Sequence, residues 1–386
     1  MSVAPRWLTE LREKGAARFA EVGFPTTRLE AWRFTDVRPI AETSFAHGVS
    51  RWTAHASTPP HVLVGDLAQA EGVAQAHLGR YADVSANPFT ALATAFLEDV
   101  QVVSVPARTE VATPIRLSHR FEGTGAVMTT PRLLIVLGDQ ARATVIESHE
   151  DGGAEATFSN SVTEIVLGNG AELDYVRVQR EGAAASHIAT TQSHQGRDSV
   201  LRSTSIALGA GLSRHDLGAV LAGTGASLVL NGLSVLSGRQ HVDYHTTIDH
   251  AQPHGESHEL FNGVFDQHAR GVFNGRIIVR PGAQRTDSKQ TNNNLLLSGD
   301  ARADSQPQLE IYADDVKCTH GATLGPLDAT ALFYLRSRGL SPQAAKSLLT
   351  YGFAADVLTR IANVPVRDDL DRAIRARLGV ETRAAA

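Results

Sequence analysis

The chain has 386 residues, 36 of them basic and 41 acidic, for a formal net charge of −5, and no lysine/arginine block offers the phosphate footprint of a nucleic-acid binder. Its longest aliphatic runs, such as LLIVL, are far too short to span a bilayer, its single cysteine cannot close an intrachain disulfide, and the opening MSVAPRWLTELREK lacks the apolar stretch of a signal peptide. The expectation is a cytoplasmic chain with neither nucleic acid nor membrane as partner, long enough for two or three domains or one elongated one.

Residues 1–99 read as mainly helical. In PRWLTELREKGAARFAEVGF, Trp7, Leu8 and Leu11, then Phe19 and Val22, fall near helical spacing with charges between, and Gly23 and Pro25 end the run. TTRLEAWRFTDV follows with Trp32 and Phe34 at period two, an aromatic pair suited to docking the helix on its neighbours. NPFTALATAFLED offers Asn87 as N-cap and Pro88 at the first helical position.

Residues 100–322 change character to short Val/Ile/Leu/Thr runs with recurrent corners: LGDQA, LGNGA, LGAGL and LAGTGA. Gly138 and Gly168 are 30 positions apart, Gly209 and Gly223 are 14, and Gly223 and Gly238 are 15. That is the spacing of a rung and of half-rungs, so this segment is expected to form a right-handed parallel β-helix whose Gly, Asn and Asp corners supply positive φ. A large β-sandwich with turns at similar intervals is the alternative.

Residues 323–386 read as helices again. LDATALFYLRSRG carries Leu327, Leu332, Phe333 and Leu335 before Gly339; Ser341 and Pro342 restart a second helix; RDDLDRAIRARLG is a third. Because each solenoid rung buries its core against its neighbours, this tail is expected to be dispensable for the fold.

The chemistry centres on KCTHGAT. Cys318 and His320 stand at i and i+2, which on a strand puts both side chains on one face, but one thiolate and one imidazole make only half a metal site. A buried cysteine beside a hydrogen-bonded histidine is the plain alternative. His241, His245, His250, His254 and His258 are dense enough to suggest a metal, yet Gly255 follows His254 where a zinc-protease helix needs glutamate, and structural histidines are the competing reading. Asn292, Asn293 and Asn294 suit an amide ladder at solenoid corners, and Asp314 and Asp315, as strand neighbours, point apart and make a poor acid–base pair.

The run from RGVFNGRIIVRPGAQRTDSKQTNNN through KCTHGATLGPLDATALFYLRSRGLSPQAAKSLLTYGFA closely resembles the C-terminal half of the SufD branch of the SufB/SufD family of iron–sulfur cluster assembly proteins. FPTTRLEAWRFTDV is similar to the family's N-terminal segment, so the resemblance spans nearly the whole chain and is weakest between about residues 53 and 130. It implies N-terminal helices, a central parallel β-helix and C-terminal helices, and a non-catalytic scaffold that pairs with a SufB-like subunit, with a homodimer as the arrangement open to it when alone. It implies a SufC-like ATPase docked on the C-terminal helices, where Phe333, Tyr334, Arg338, Leu348, Tyr351 and Phe353 are the candidate contacts. His320 matches the histidine that faces a SufB cysteine and holds a transient iron–sulfur cluster at the interface; Cys318 matches the motif's cysteine; no stable cluster is expected in the isolated chain. SufB members carry glutamate after the corresponding histidine and more cysteines, whereas Gly321 and a solitary cysteine favour the SufD branch. No Walker motif is present, so ATP hydrolysis falls to the partner. A carbohydrate-active β-helix enzyme would need acids lined along one groove, an array the sequence does not show; a purely structural, ATPase-recruiting partner is the other alternative.

Overall fold

A computed structural model describes residues 4–48, 50–98, 100–121, 125–150 and 156–380. Among the described residues seven α-helices flank a β-helix: α1 Arg6–Val22, α2 Arg38–Ala41, α3 Glu71–His77, α4 Pro88–Ala95, α5 Ala329–Ser337, α6 Pro342–Leu358 and α7 Val364–Arg377. Their ends follow local chemistry: the side chains of Asn87, Asp328, Ser341 and Asn363 accept from exposed N–H groups of α4, α5, α6 and α7, and Gly23 ends α1 at φ 62°.

Between them the chain winds through two facing sheets, of eleven and nine strands among the described residues. From Val100 onward the pairing within each sheet is parallel, and each strand's neighbour lies one full turn away in sequence. Register partners are 26 positions apart at the shortest, Ser186 to Leu212, and 32 at the longest, Arg270 to Arg302. The segment is a parallel β-helix, not a sandwich. Two earlier strands, Ser50–His55 and Leu63–Asp66, pair antiparallel with Ile115–Phe121 and Val100–Val105 and so extend the sheets beyond the first turn. At the other end the β-helix runs on to Gly325.

Alternate residues of every turn fill the space between the sheets. Val145, Ile165, Leu173, Tyr175, Leu201, Leu228 and Phe261 belong to one continuous apolar column there. The outer face of the larger sheet is covered by the N-terminal helices, through Trp32, Phe89 and Leu92 on Phe158 and Ile188. The outer face of the other sheet is covered by α6 and α7: Ala354, Val357, Leu358, Leu370 and Ile374 pack on Val176, Ile206, Leu233 and Val264. That contact corrects the expectation of a dispensable tail, because removing residues from Asp328 onward would strip an apolar sheet face.

The corners meet the expectation in part, with positive φ at Gly238 and Asp198. Gly209 and Gly223 have ordinary φ; they are small because a Cβ would run into the backbone of the preceding turn, at Glu181 and Arg197. Positive φ instead falls later in each corner, on Gly170 and Gly225 and on non-glycines such as Gln140, Asp198 and His254. Trp32 lies in a 3-10 turn, Glu30–Trp32, and packs with Phe89, Phe19 and Phe24, so it does help dock α1 on its neighbours.

Candidate functional site

The last turn is built from the strands Arg302–Ile311 and Lys317–Gly325, each at the end of its sheet with no strand beyond it among the described residues. Parallel register stacks Cys318 on Ser288 and His320 on Gln290, and these in turn stack on Ser257 and Glu259. Ser257, Ser288, Glu259 and Gln290 are all buried between the sheets. Cys318 and His320 therefore belong to the inward rows, and what uncovers them is the end of the β-helix. His320 is exposed and Cys318 half-buried, roughly 7 Å apart along the strand. Burial, with Asp287 nearby, pushes the Cys318 thiol up, so the proton stays on sulfur at neutral pH.

The row beneath His320 is polar for two turns, Gln290 and then Glu259, before it reaches Leu230 of the apolar column. Gln290 Nε2 donates to Glu259 Oε2 at 2.7 Å. Burial pushes Glu259 up to about 7, with the Gln290 bond pulling the other way. The folded state thus holds this proton more tightly than the unfolded chain does. Stability from that proton is complete below the ordinary value of 4.5 and is lost as pH rises through about 7. Between about pH 5 and 8 the loss amounts to roughly 3 kcal/mol. Glu259→Gln is expected to remove that part of the pH dependence, as read from urea midpoints across the window. An unchanged pH profile in the variant would show that Glu259 titrates normally.

Comparison with known proteins bears on this geometry. The family model described as SUF system FeS cluster assembly, SufBD core domain, matches residues 119–353. The chain belongs to the SufB/SufD family. It is 32% identical to the iron–sulfur cluster assembly protein SufD of Escherichia coli over 77% of this chain and 70% of that one. It is 38% identical to a SufBD family protein of Synechocystis over 78% of this chain and 68% of the relative. A SufBD family protein of Mycobacterium tuberculosis shares 30% identity over 92% of this chain and 90% of its own length. Within the SufB/SufD family the match is to the SufD branch.

The other candidate residues separate in this SufD-type chain. Phe333 and Tyr334, 74% and 56% exposed, stand on α5, which buries none of its own residues. Arg338 and Leu348 are exposed as well, and the Arg338 guanidinium lies 5.2 Å from the Tyr334 ring. Tyr351 and Phe353 are half-buried: Tyr351 bonds to Asp371 and Arg375 of α7, and Phe353 packs in the apolar layer under α6. Among the histidines between 241 and 258, His241 and His245 share an outer face and are joined through Thr35 and Asp243, whereas His250 turns inward. His241 meets Thr35 Oγ1 at 3.0 Å, His245 meets Asp243 at 3.1 Å, His250 turns inward to Ser257 at 2.9 Å, and His258 is exposed. Asn292, Asn293 and Asn294 lie within a strand, not at a corner; Asn293 bonds to Asn262 Oδ1 at 3.2 Å on the outer face, and Asn294 to Asn292 on the inner. Asp314 and Asp315 sit in the bend before Lys317–Gly325, where Asp315 is 3.6 Å from Arg285.

Sequence reading missed a polar cluster inside the first turns. Glu147 and His149 from one strand, Arg177 and Gln179 from the next, Glu181 beyond it, and His187 and Ser161 from the facing sheet are all buried. His149 Nε2 lies 2.5 Å from Glu147 Oε1, and His187 Nδ1 is 2.6 Å from Glu181 Oε1. Burial pushes His187 down to about 4 against the pull of Glu181, and His119 to about 3, with His149 adding to the effect. Burial alone would raise Glu147, but His149 and Arg177 hold it down to about 2. The available signal was parity: ESHE and RVQRE put Glu147, His149, Arg177 and Gln179 on the same alternate positions as inward Val145 and Tyr175.

Proposed function

We propose that the chain is a non-catalytic SufD-type scaffold subunit, working in the cytoplasm, that holds one side of a nascent iron–sulfur cluster and docks a SufC-like ATPase. The observation that carries this reading is the position of His320 and Cys318 on the uncovered inner row of the terminal turn. Strands with no neighbour present unpaired backbone groups, so a SufB-like subunit of related fold can close over this end and bring its thiolates to His320. The cluster is cargo, and its ligands are divided between subunits. His320 offers an exposed imidazole nitrogen, whereas burial raises the Cys318 thiol and makes it the weaker donor.

Anaerobic reconstitution tests this directly. The isolated chain is expected to stay colourless, because one imidazole and one thiol leave iron under-coordinated. The complex with its SufB-like partner is expected to hold iron and sulfide. A stoichiometric, stable cluster on the isolated chain would refute the divided site.

The ATPase dock rests on the exposed aromatic pair of α5. Phe333→Asp with Tyr334→Asp is expected to weaken binding of the cognate ATPase by at least about 2 kcal/mol, roughly 30-fold, while the circular dichroism stays native. The double variant leaves the apolar contacts of α6 and α7 in place, so it separates docking from folding. Affinity unchanged in a calorimetric titration would remove α5 from the interface.

A further inference from the structure

The buried cluster near the start of the β-helix lies five strands from Cys318 and His320 along the smaller sheet, roughly 24 Å at the spacing between strands. It is a separate place in the fold, and it holds two carboxylates with one guanidinium. Glu147 has a cationic neighbour, Arg177, whose Nε is 3.6 Å from Oε1. It also accepts from Thr163 Oγ1 at 3.1 Å and from the Tyr175 hydroxyl. The contacts of Glu181 are of another kind: Gln179 Nε2 at 2.5 Å and His187 Nδ1 at 2.6 Å. Two carboxylates face one guanidinium, so the second is neutralised either by a protonated imidazole or by a bound cation. The other titratable groups facing the cluster are imidazoles, His119 with its ring 5.5 Å from that of His149, and His215.

One ligand atom from each of His149, Glu181 and His187 lies within 4.8 Å of the other two. His149 Nδ1 is buried without a hydrogen-bond partner while Nε2 is held by Glu147. That is how a metal-bound imidazole is usually anchored, with its far nitrogen on a carboxylate. Two imidazoles and one carboxylate are a donor set for a first-row divalent ion. We propose that His149, Glu181 and His187 form an internal site for a divalent transition metal, Zn2+ or Fe2+, distinct from the terminal-turn site. Binding at His187 Nδ1 places that ring's proton on Nε2, where Ser161 Oγ at 3.2 Å accepts it. Arg177, now in contact with Nε2, then turns to Glu147. Glu181 also forms part of the wall of a surface cavity with Gly182, Gly209 and Gly211. Arg180, Arg239 and Arg377 rim that cavity and repel a free cation, so loading is expected during folding.

The test refolds the full chain from denaturant with Zn2+, with Fe2+ under anaerobic conditions, or with Co2+ as spectroscopic probe, followed by desalting and metal analysis. About one ion per chain is expected, retained in the Cys318→Ser/His320→Ala double variant. In Glu181→Gln the affinity is expected to fall by more than the roughly 10–100-fold that loss of an outer partner costs. Crystals of the Zn2+-loaded wild-type chain give a reading that does not depend on a variant folding. An anomalous peak between His149, Glu181 and His187 supports the site; its absence, or a metal content unchanged in folded Glu181→Gln, overturns it. This inference does not rest on the scaffold reading, and neither outcome bears on whether a cluster forms at His320.

Discussion

His320→Ala is expected to lower iron and acid-labile sulfide in the assembled complex at least about tenfold while leaving the chain's own stability unchanged within about 0.5 kcal/mol. The two readouts separate because of where the residue sits. Its side chain is exposed at the end of an inward row, so truncation removes little packing, and nothing stacks above it to leave a cavity. A ligand lost from a shared site has no substitute on this chain, since Cys318 is the single cysteine and its thiol is pushed up by burial. Cys318→Ser should therefore be milder for cluster loading than His320→Ala. A His320→Ala complex that loads normally would mean that the imidazole is structural.

Arg214→Ala is expected to cost about 3–5 kcal/mol, the largest effect of any single change considered. Arg214 is 2% exposed and binds Asp243 Oδ2 at 2.8 Å, Asp216 Oδ1 at 2.7 Å and the Ala31 carbonyl at 2.6 Å, with its guanidinium 3.7 Å from the Trp32 ring. Burial alone would raise the Asp243 carboxyl; Arg214, His245 and Thr35 overcome that and hold it well below the usual range. Removing the guanidinium strands a buried carboxylate and frees the Trp32 turn from the β-helix in one step. Urea midpoints should fall, and limited proteolysis should cut within residues 24–36. Arg214→Met with Asp243→Asn should recover part of the loss, because it removes the stranded charge as well. A cost under about 1 kcal/mol would show that the N-terminal segment is held by its apolar contacts alone.

These two sites mark what sequence could and could not convey. Asn87 and Ser341 were legible as caps because a cap is a local hydrogen bond, and it forms as its sequence suggests. Cys318 and His320 were legible as one face because strand period is local too. That their row ends uncovered was not, since exposure there depends on the absence of a following strand in each sheet. Gly209 and Gly223 marked the corners correctly, but the reason for them lies a full turn back in the chain, at the backbone of Glu181 and Arg197. Trp32 looked like half of an aromatic pair with Phe34; its contacts are Phe89 and Arg214, both distant in sequence. The buried His149–Glu181–His187 cluster was invisible because polar residues at alternate positions read as a solvent face, and only the facing sheet turns that face inward.

The most direct measurement is pulsed electron–nuclear spectroscopy of the reduced cluster in a complex whose SufD-type chain alone carries 15N-histidine. The account predicts a 15N coupling of the size expected for a directly bound imidazole, absent when the labelled chain is His320→Ala. A cluster that loads fully in the wild-type complex and shows no such coupling would contradict it.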